Sequence, residues 1–327
     1  MPRVLVAPPV FNRKPGPYCE VFDTAGFEMI YPDGDLTYMP AAERIAYLSK
    51  VDAVMAGIEL YNDEVLDATH LRAIARAGVG YDAIDVPAAT RHGVPVCITP
   101  GTNEISVAEQ TLALVFACFR DLARRDREAR QGGWRREPVR RLAGNTLGLV
   151  GLGRIGRAIV PRAQALGLKV VAYDPFPNRE FAAANSVAIV SLDELLEQSD
   201  IVTLHLPCNA ETTDLINERT LAKMKPCSVL INTARGGLVD EQALAAALRA
   251  GKPAMAGLDV FKQEPPEADN PLLKLDQVVV SPHLGGIDRD AVNAMGKLAA
   301  ECIVDLHRGR WPAGCVVNDE LRAGWTW

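Results

Sequence analysis

Apolar residues in this chain fall in short runs separated by stretches of helical period. Val4-Leu5-Val6, Ala53-Val54-Met55-Ala56, Ala73-Ile74-Ala75 and Val94-Pro95-Val96-Cys97-Ile98 are too short for helices, and continuous runs of this kind predict strands buried on both faces. They alternate with amphipathic stretches from Arg3 to about Thr99, which predicts a small α/β unit. A longer series starts at Thr146, with predicted strands at 148–150, 170–174, 201–206, 229–233, 256–260 and 278–281. Helical spacing over 193–198 and 241–250 implies right-handed crossovers and therefore a parallel sheet. Between the two series, Ser106 to Arg130 is apolar-periodic. Ser106 as N-cap and Glu109 three residues on resemble a capping box, so one long helix is expected. A last helical pattern, Asp288 to His307, precedes a tail carrying Trp311, Trp325 and Trp327, which are expected to pack or form an interface. If that helix returns to the first unit, the domains are 1–103 plus 287–327, discontinuous, and 104–286.

A length of 327 residues agrees with two domains rather than one. A net charge of −6 and a pI near 5.5 argue against nucleic acid or an anionic membrane as the partner of the whole molecule. No apolar stretch is long enough to span a bilayer, and Met1-Pro2-Arg3 leads directly into a strand-like run, so a cytoplasmic protein is expected. The seven cysteines are scattered, with no CxxC pair and no histidine at metal-ligand spacing. They are expected to be reduced and structural, and no metal site is expected.

Chemistry enters at Gly151-Leu152-Gly153-Arg154-Ile155-Gly156, which follows an apolar run and opens a helical stretch. Gly151 suits a tight turn, Gly153 lets a pyrophosphate approach the backbone, and Gly156 lets helix and strand pack closely. The anion would sit on the helix N-terminus. The next predicted strand ends in Asp174, at the offset where a carboxylate binds the adenosine ribose hydroxyls and repels a 2′-phosphate, so NAD is expected in preference to NADP. Leu206-Pro207 is expected to line the adenine side, and His205 to be structural.

Arg235, Glu264 and His283 stand beyond strand ends or in adjacent loops, where open α/β sheets bind ligands. The planar fork of Arg235 matches a carboxylate. His283 is suited to exchange a proton with a hydroxyl or oxo oxygen near neutral pH. Glu264, hydrogen-bonded to the far imidazole nitrogen, would orient the ring and favour its charged form. The arginines between 120 and 141, with Trp134 among them, are read mainly as a solvated face. Arg135, Arg136 or Arg76 remain candidates for a substrate phosphate.

Gly151-Leu152-Gly153-Arg154-Ile155-Gly156, Asn232-Thr233-Ala234-Arg235-Gly236-Gly237, Leu258-Asp259-Val260-Phe261 and Ser281-Pro282-His283 resemble the D-2-hydroxyacid dehydrogenase family. Ala75 to Asp85 and Thr99 to Glu109 extend the likeness toward the phosphoglycerate-oxidising branch. The resemblance implies two Rossmann-like or flavodoxin-like domains with parallel sheets and an active site in the cleft between them. Residues 104–286 would bind NAD and the discontinuous domain the substrate. It also implies hydride transfer between NAD and C2 of a D-2-hydroxy acid. Arg235 would hold the carboxylate, Glu264 assist, and His283 act as acid/base. Val79 and Gly80 would add backbone amides, with Asn103 near the substrate. By the same likeness Arg154, Ile155, Leu206, Pro207, Thr233, Asp259, Gly285 and Gly286 join the cofactor contacts, Asp259 meeting the nicotinamide carboxamide. A homodimer through 106–141 is implied. A glyoxylate or hydroxypyruvate reductase is the alternative enzyme, and a non-catalytic NAD-sensing corepressor-like scaffold a remote one. The likeness ends at Val316-Val317-Asn318 without a regulatory domain, so feedback by serine is not expected. Gln110 replaces a histidine frequent in the family, and Ile287-Asp288 replaces a common threonine or serine-threonine, both on the substrate side.

Overall fold

Alternate residues of the apolar strands feed cores on opposite faces of two parallel sheets. The computed structural model describes residues 1–327, which divide into two compact units, Met1–Asn103 with Ile287–Trp327, and Glu104–Gly286.

In the first unit, β1 (Arg3–Val6), β2 (Glu28–Ile30), β3 (Ala53–Ala56), β4 (Ala73–Arg76) and β5 (Val96–Cys97) form a parallel sheet of order β2-β1-β3-β4-β5. Val4, Val6, Met55 and Ala75 point into one core with Phe22 and Ile303. Leu5, Val54, Ile74 and Val96 point into the other with Leu36 and Leu48. This period of two is what a strand covered by helices on both faces requires. The helix Arg289–His307 lies against Pro17–Ala25 and so belongs to this unit. The C-terminal tail closes on the same unit. The indole of Trp325 donates to Gly93 O at 2.8 Å, and the rings of Trp311, Trp325, Trp327 and His307 meet edge to face.

In the second unit, β6 (Thr146–Val150), β7 (Lys169–Tyr173), β8 (Ala188–Ile189), β9 (Ile201–Leu204), β10 (Val229–Asn232), β11 (Met255–Leu258) and β12 (Val278–Val280) give the order β12-β11-β10-β9-β6-β7-β8, again all parallel. The order reverses between β6 and β9, and the crevice outside the strand ends there is where such sheets take ligands.

Three sequence expectations need correction. The edge strands β2 and β8 go unforeseen because both are very short and partly exposed, so neither makes an apolar run. The helix expected from Ser106 starts at Glu104, which places Ser106 within its first turn rather than at a cap. It also stops at Phe119. Asp121 takes a left-handed conformation (φ 50°), and a second helix runs over Leu122–Arg130 with no buried residue. The apolar period that predicted one helix belongs to the first piece alone.

Candidate active site

The glycine turn leaves β6 at Val150. Gly151 has φ 110°, and a Cβ there would lie 2.7 Å from the His205 carbonyl carbon and oxygen, so only glycine fits. A Cβ at Gly156 would collide with Gly151 O, which fixes the close approach of the helix Arg154–Ala165 to the turn. At Gly153 a Cβ would meet nothing within 4 Å, so the turn is open above the helix N-terminus that Arg154 and Ile155 begin. Asp174 binds back onto this turn. Its Oδ2 accepts from Leu152 N at 2.7 Å and its Oδ1 from Phe176 N at 2.8 Å. An open glycine turn at a helix N-terminus with a carboxylate beside it fits a dinucleotide. Beyond β9, Leu206 is buried and Pro207 exposed. His205 shares a hydrogen bond with Thr203 through Nε2, and burial pushes it down to about 3, so the ring stays neutral.

The three ionisable candidates all lie in the second unit. His283 follows β12 with φ 53°, an unusual backbone for a non-glycine residue, held by His283 N donating to Asp259 O at 2.8 Å. Its Nδ1 lies 2.6 Å from Glu264 Oε2, while Glu264 Oε1 accepts from Phe261 N at 3.0 Å. Burial acts to raise the Glu264 carboxyl. The hydrogen bond and charge of His283, the Phe261 N–H and the charge of Arg235 outweigh it, and the group is held below the usual carboxylate range. Glu264 is therefore ionised at neutral pH and meets both other candidates, one by hydrogen bond and one by charge. Arg235 leaves the end of β10 on a turn shaped by Asn232, whose Oδ1 accepts from Ala234 N and whose Nδ2 donates to Arg235 O at 2.8 Å.

Asp259 is buried beneath this loop. Its carboxylate accepts from Ser281 Oγ at 2.5 Å, Leu284 N at 2.9 Å and Gly285 N at 2.8 Å, so it anchors the chain on both sides of His283. Gln110 Nε2 donates to Ser281 Oγ at 2.9 Å, extending the network to the helix Glu104–Phe119. Ser281, Asn232 and this use of Gln110 escape sequence reasoning. A serine before Pro282-His283 was the only local sign. The Thr233 hydroxyl is paired with Thr111 at 2.8 Å. Val79, Gly80 and Asn103 are in the first unit, and the N–H groups of Val79 and Gly80, just beyond β4, have no protein partner.

The arginine stretch is mostly paired. Arg124 meets Asp121, Arg127 meets Asp276, Arg130 meets Asp126, Arg135 lies 3.8 Å from Glu128, and Arg140 donates to Cys227 O over the ring of Phe119. All seven cysteines are free thiols. No helix is long and apolar enough to cross a membrane.

Comparison with known proteins puts a family on this geometry. Residues 112–285 match the model of the D-isomer specific 2-hydroxyacid dehydrogenase, NAD binding domain. The chain is 43% identical over 277 residues to a D-3-phosphoglycerate dehydrogenase of Archaeoglobus fulgidus, covering 84% of this chain and 53% of that one. It thus spans about half that relative's length. A glyoxylate reductase of Korarchaeum cryptofilum is 41% identical over 265 residues, covering 79% of this chain and 80% of that one. Among solved structures, D-lactate dehydrogenase from Aquifex aeolicus, complexed with NAD and lactic acid, superposes with a TM-score of 0.84 at 28% identity, covering 96% of this chain and 98% of that one.

Proposed function

We propose a reaction from the premise that the chain belongs to the D-isomer specific 2-hydroxyacid dehydrogenase family. It transfers a hydride between NAD and C2 of a D-2-hydroxy acid, reversibly, with the corresponding 2-oxo acid as the other partner. The observation that carries this reading is the 2.6 Å contact of His283 Nδ1 with an ionised Glu264 whose charge also answers Arg235.

NAD supplies the hydride acceptor, or the donor when reduced. The open turn Gly151-Gly153-Gly156 with Arg154 and Ile155 would hold its pyrophosphate and Asp174 its ribose, with Leu206, Pro207, Thr233, Asp259, Gly285 and Gly286 around the remainder. Glu264 accepts a hydrogen bond from Nδ1–H of His283, which leaves Nε2 to give its proton to the substrate oxygen from imidazolium in reduction, or as neutral imidazole to remove it in oxidation. Arg235, the unpaired amides of Val79 and Gly80, and Asn103 hold and orient the acid. Purified protein should consume NADH with at least one of glyoxylate, pyruvate, hydroxypyruvate or phosphohydroxypyruvate. Inertness toward all four, with NADH bound, would favour the scaffold.

Two predictions follow the charges. Above the ordinary carboxylate range Glu264 is ionised whether folded or not, so its favourable pairing is fully present at neutral pH and is lost only as pH falls through its depressed folded value. Glu264→Gln removes the carboxylate that accepts from His283 Nδ1 and orients the ring. The kcat of NADH oxidation by a 2-oxo acid should then fall by at least about tenfold, the equivalent of roughly 1.4 kcal/mol. An unchanged kcat counts against the pairing. Asp174→Ala removes both the ribose acceptor and the brace on Leu152, and should raise the NADH dissociation constant about tenfold in a fluorescence titration while narrowing the preference over NADPH.

The protein acts as a cytoplasmic homodimer in this reading. Free thiols suit a reducing compartment, and exposed Phe116, Leu122 and Trp134 on the 106–141 segment suit a subunit interface. Sedimentation equilibrium at micromolar concentration should return twice the chain mass, and a monomer would contradict it.

A further inference from the structure

The loop that leaves β3 reverses the usual arrangement of polar and apolar side chains. Ile58 and Leu60 are 48% and 46% exposed, while Glu59 between them is 2% exposed and Tyr61 is fully buried. Glu59 is folded onto its own loop. Gly57 N donates to Oε1 at 2.9 Å and Oε2 at 3.1 Å, and the Tyr61 hydroxyl donates to Oε1 at 2.6 Å. The buried carboxylate thus holds two aliphatic side chains out at the carboxyl end of a parallel sheet, where ligands of such sheets bind. A local breach of the burial rule with its own dedicated hydrogen bonds is the mark of a site rather than of a packing accident.

This loop is joined to the one after β4. The two strands end side by side, with Ala56 opposite Arg76 and Ala77 N donating to Ala56 O at 2.9 Å. Tyr61 N donates to Ala83 O and Asp85 N to Tyr61 O, both at 2.8 Å, and Tyr81 of the second loop is 42% exposed. Ile58, Leu60 and Tyr81 therefore belong to two knitted loops, and the second of them also carries the unpaired amides of Val79 and Gly80.

The charged residues within these loops are acidic, and the one cation laid over them is Arg76. Segments 57–62, 77–85 and 98–103 contain Glu59, Asp82 and Asp85 and no lysine, arginine or histidine. Arg76, at the end of β4, turns its guanidinium back over Gly78 and donates to Ala77 O at 2.8 Å. Arg44 is buried on the helix Ala41–Leu48, its charge felt at Tyr61, where it offsets Glu59 rather than adding a net cation.

We propose that Ile58, Leu60 and Tyr81 form the surface that receives the substituent on C3 of the 2-oxo acid, and that this substituent is apolar and unphosphorylated. The inference rests on the reaction proposed above and narrows its substrate class. The likeness to phosphoglycerate dehydrogenases then reports the shared reaction, and these loops set the acid.

The test compares kcat/KM of the full chain, with NADH, for 2-oxo-4-methylpentanoate, glyoxylate and phosphohydroxypyruvate, in the wild type, Ile58→Ala and Leu60→Ala. Both substituted side chains are exposed, so the variants should fold. The wild type should favour the branched acid over the phosphorylated one by at least about tenfold. Each variant should lose about tenfold on the branched acid, as deletion of apolar contact does, while glyoxylate, which has no substituent, is unchanged. A preference for phosphohydroxypyruvate, or an equal loss on glyoxylate, overturns the proposal while leaving the reaction intact. No turnover of any acid by protein that binds NADH overturns the reaction and this inference with it.

Discussion

His283→Ala should lower turnover by about 10²–10⁴-fold, the usual contribution of a positioned acid/base, and leave the NADH dissociation constant within about twofold, since the contacts that would hold the dinucleotide lie mainly around β6, β7 and β9. The expectation follows from how the residue is held. Its backbone is fixed in a left-handed conformation by Asp259 O, its neighbours Leu284 and Gly285 are tied to the Asp259 carboxylate, and Glu264 takes its Nδ1. A ring fixed at both backbone and Nδ1 can present only Nε2 outward, and no other residue in the second unit offers a comparable group. His205 cannot replace it, because burial keeps that ring neutral down to about 3 and its Nε2 is engaged by Thr203. Unchanged turnover in steady-state NADH oxidation would remove His283 from the chemistry.

Arg235→Gln should lower kcat/KM by about 10²–10³-fold, the range for truncating one partner of a hydrogen-bonded charge pair, with most of the loss in KM. Arg235→Lys should recover little, because an ammonium lacks the planar fork that grips a carboxylate at two points. The backbone of Arg235 is set by Asn232, which donates to its carbonyl and accepts from Ala234 N. The variants thus change the head group without disturbing the turn. The same substitution removes a positive charge that helps keep Glu264 ionised, so the acid limb of activity should also move to higher pH. A KM unchanged for every acid would assign Arg235 to structure alone.

Much of this architecture is legible in the chain. Short apolar runs became the central strands, because a strand covered on both faces has no polar side to betray it, and the glycines of the cofactor turn stand where the turn closes. Arg235, Glu264 and His283 are visible because they follow buried strands on the side where open α/β sheets bind ligands. What stays hidden is long-range or contrary to period. β2 and β8 are edge strands too short to make a run. The break at Asp121 has no proline or glycine to announce it, only the change from apolar to charged positions. The Gln110, Ser281 and Asp259 network joins residues far apart in sequence. The resemblance implies a nicotinamide contact for Asp259, and what the structure adds is that its buried carboxylate supports the His283 loop from within. Ile58, Glu59 and Leu60 carry no motif, and only the structure reveals that the glutamate is the buried member.

The central claim is hydride transfer to C2, and transfer of label tests it most directly. NADH carrying deuterium at the transferable C4 position, incubated with the protein and its best 2-oxo acid, should yield the D-2-hydroxy acid with one deuterium at C2, read by mass spectrometry and chiral chromatography. A product without deuterium at C2, or of the L configuration, would contradict the account.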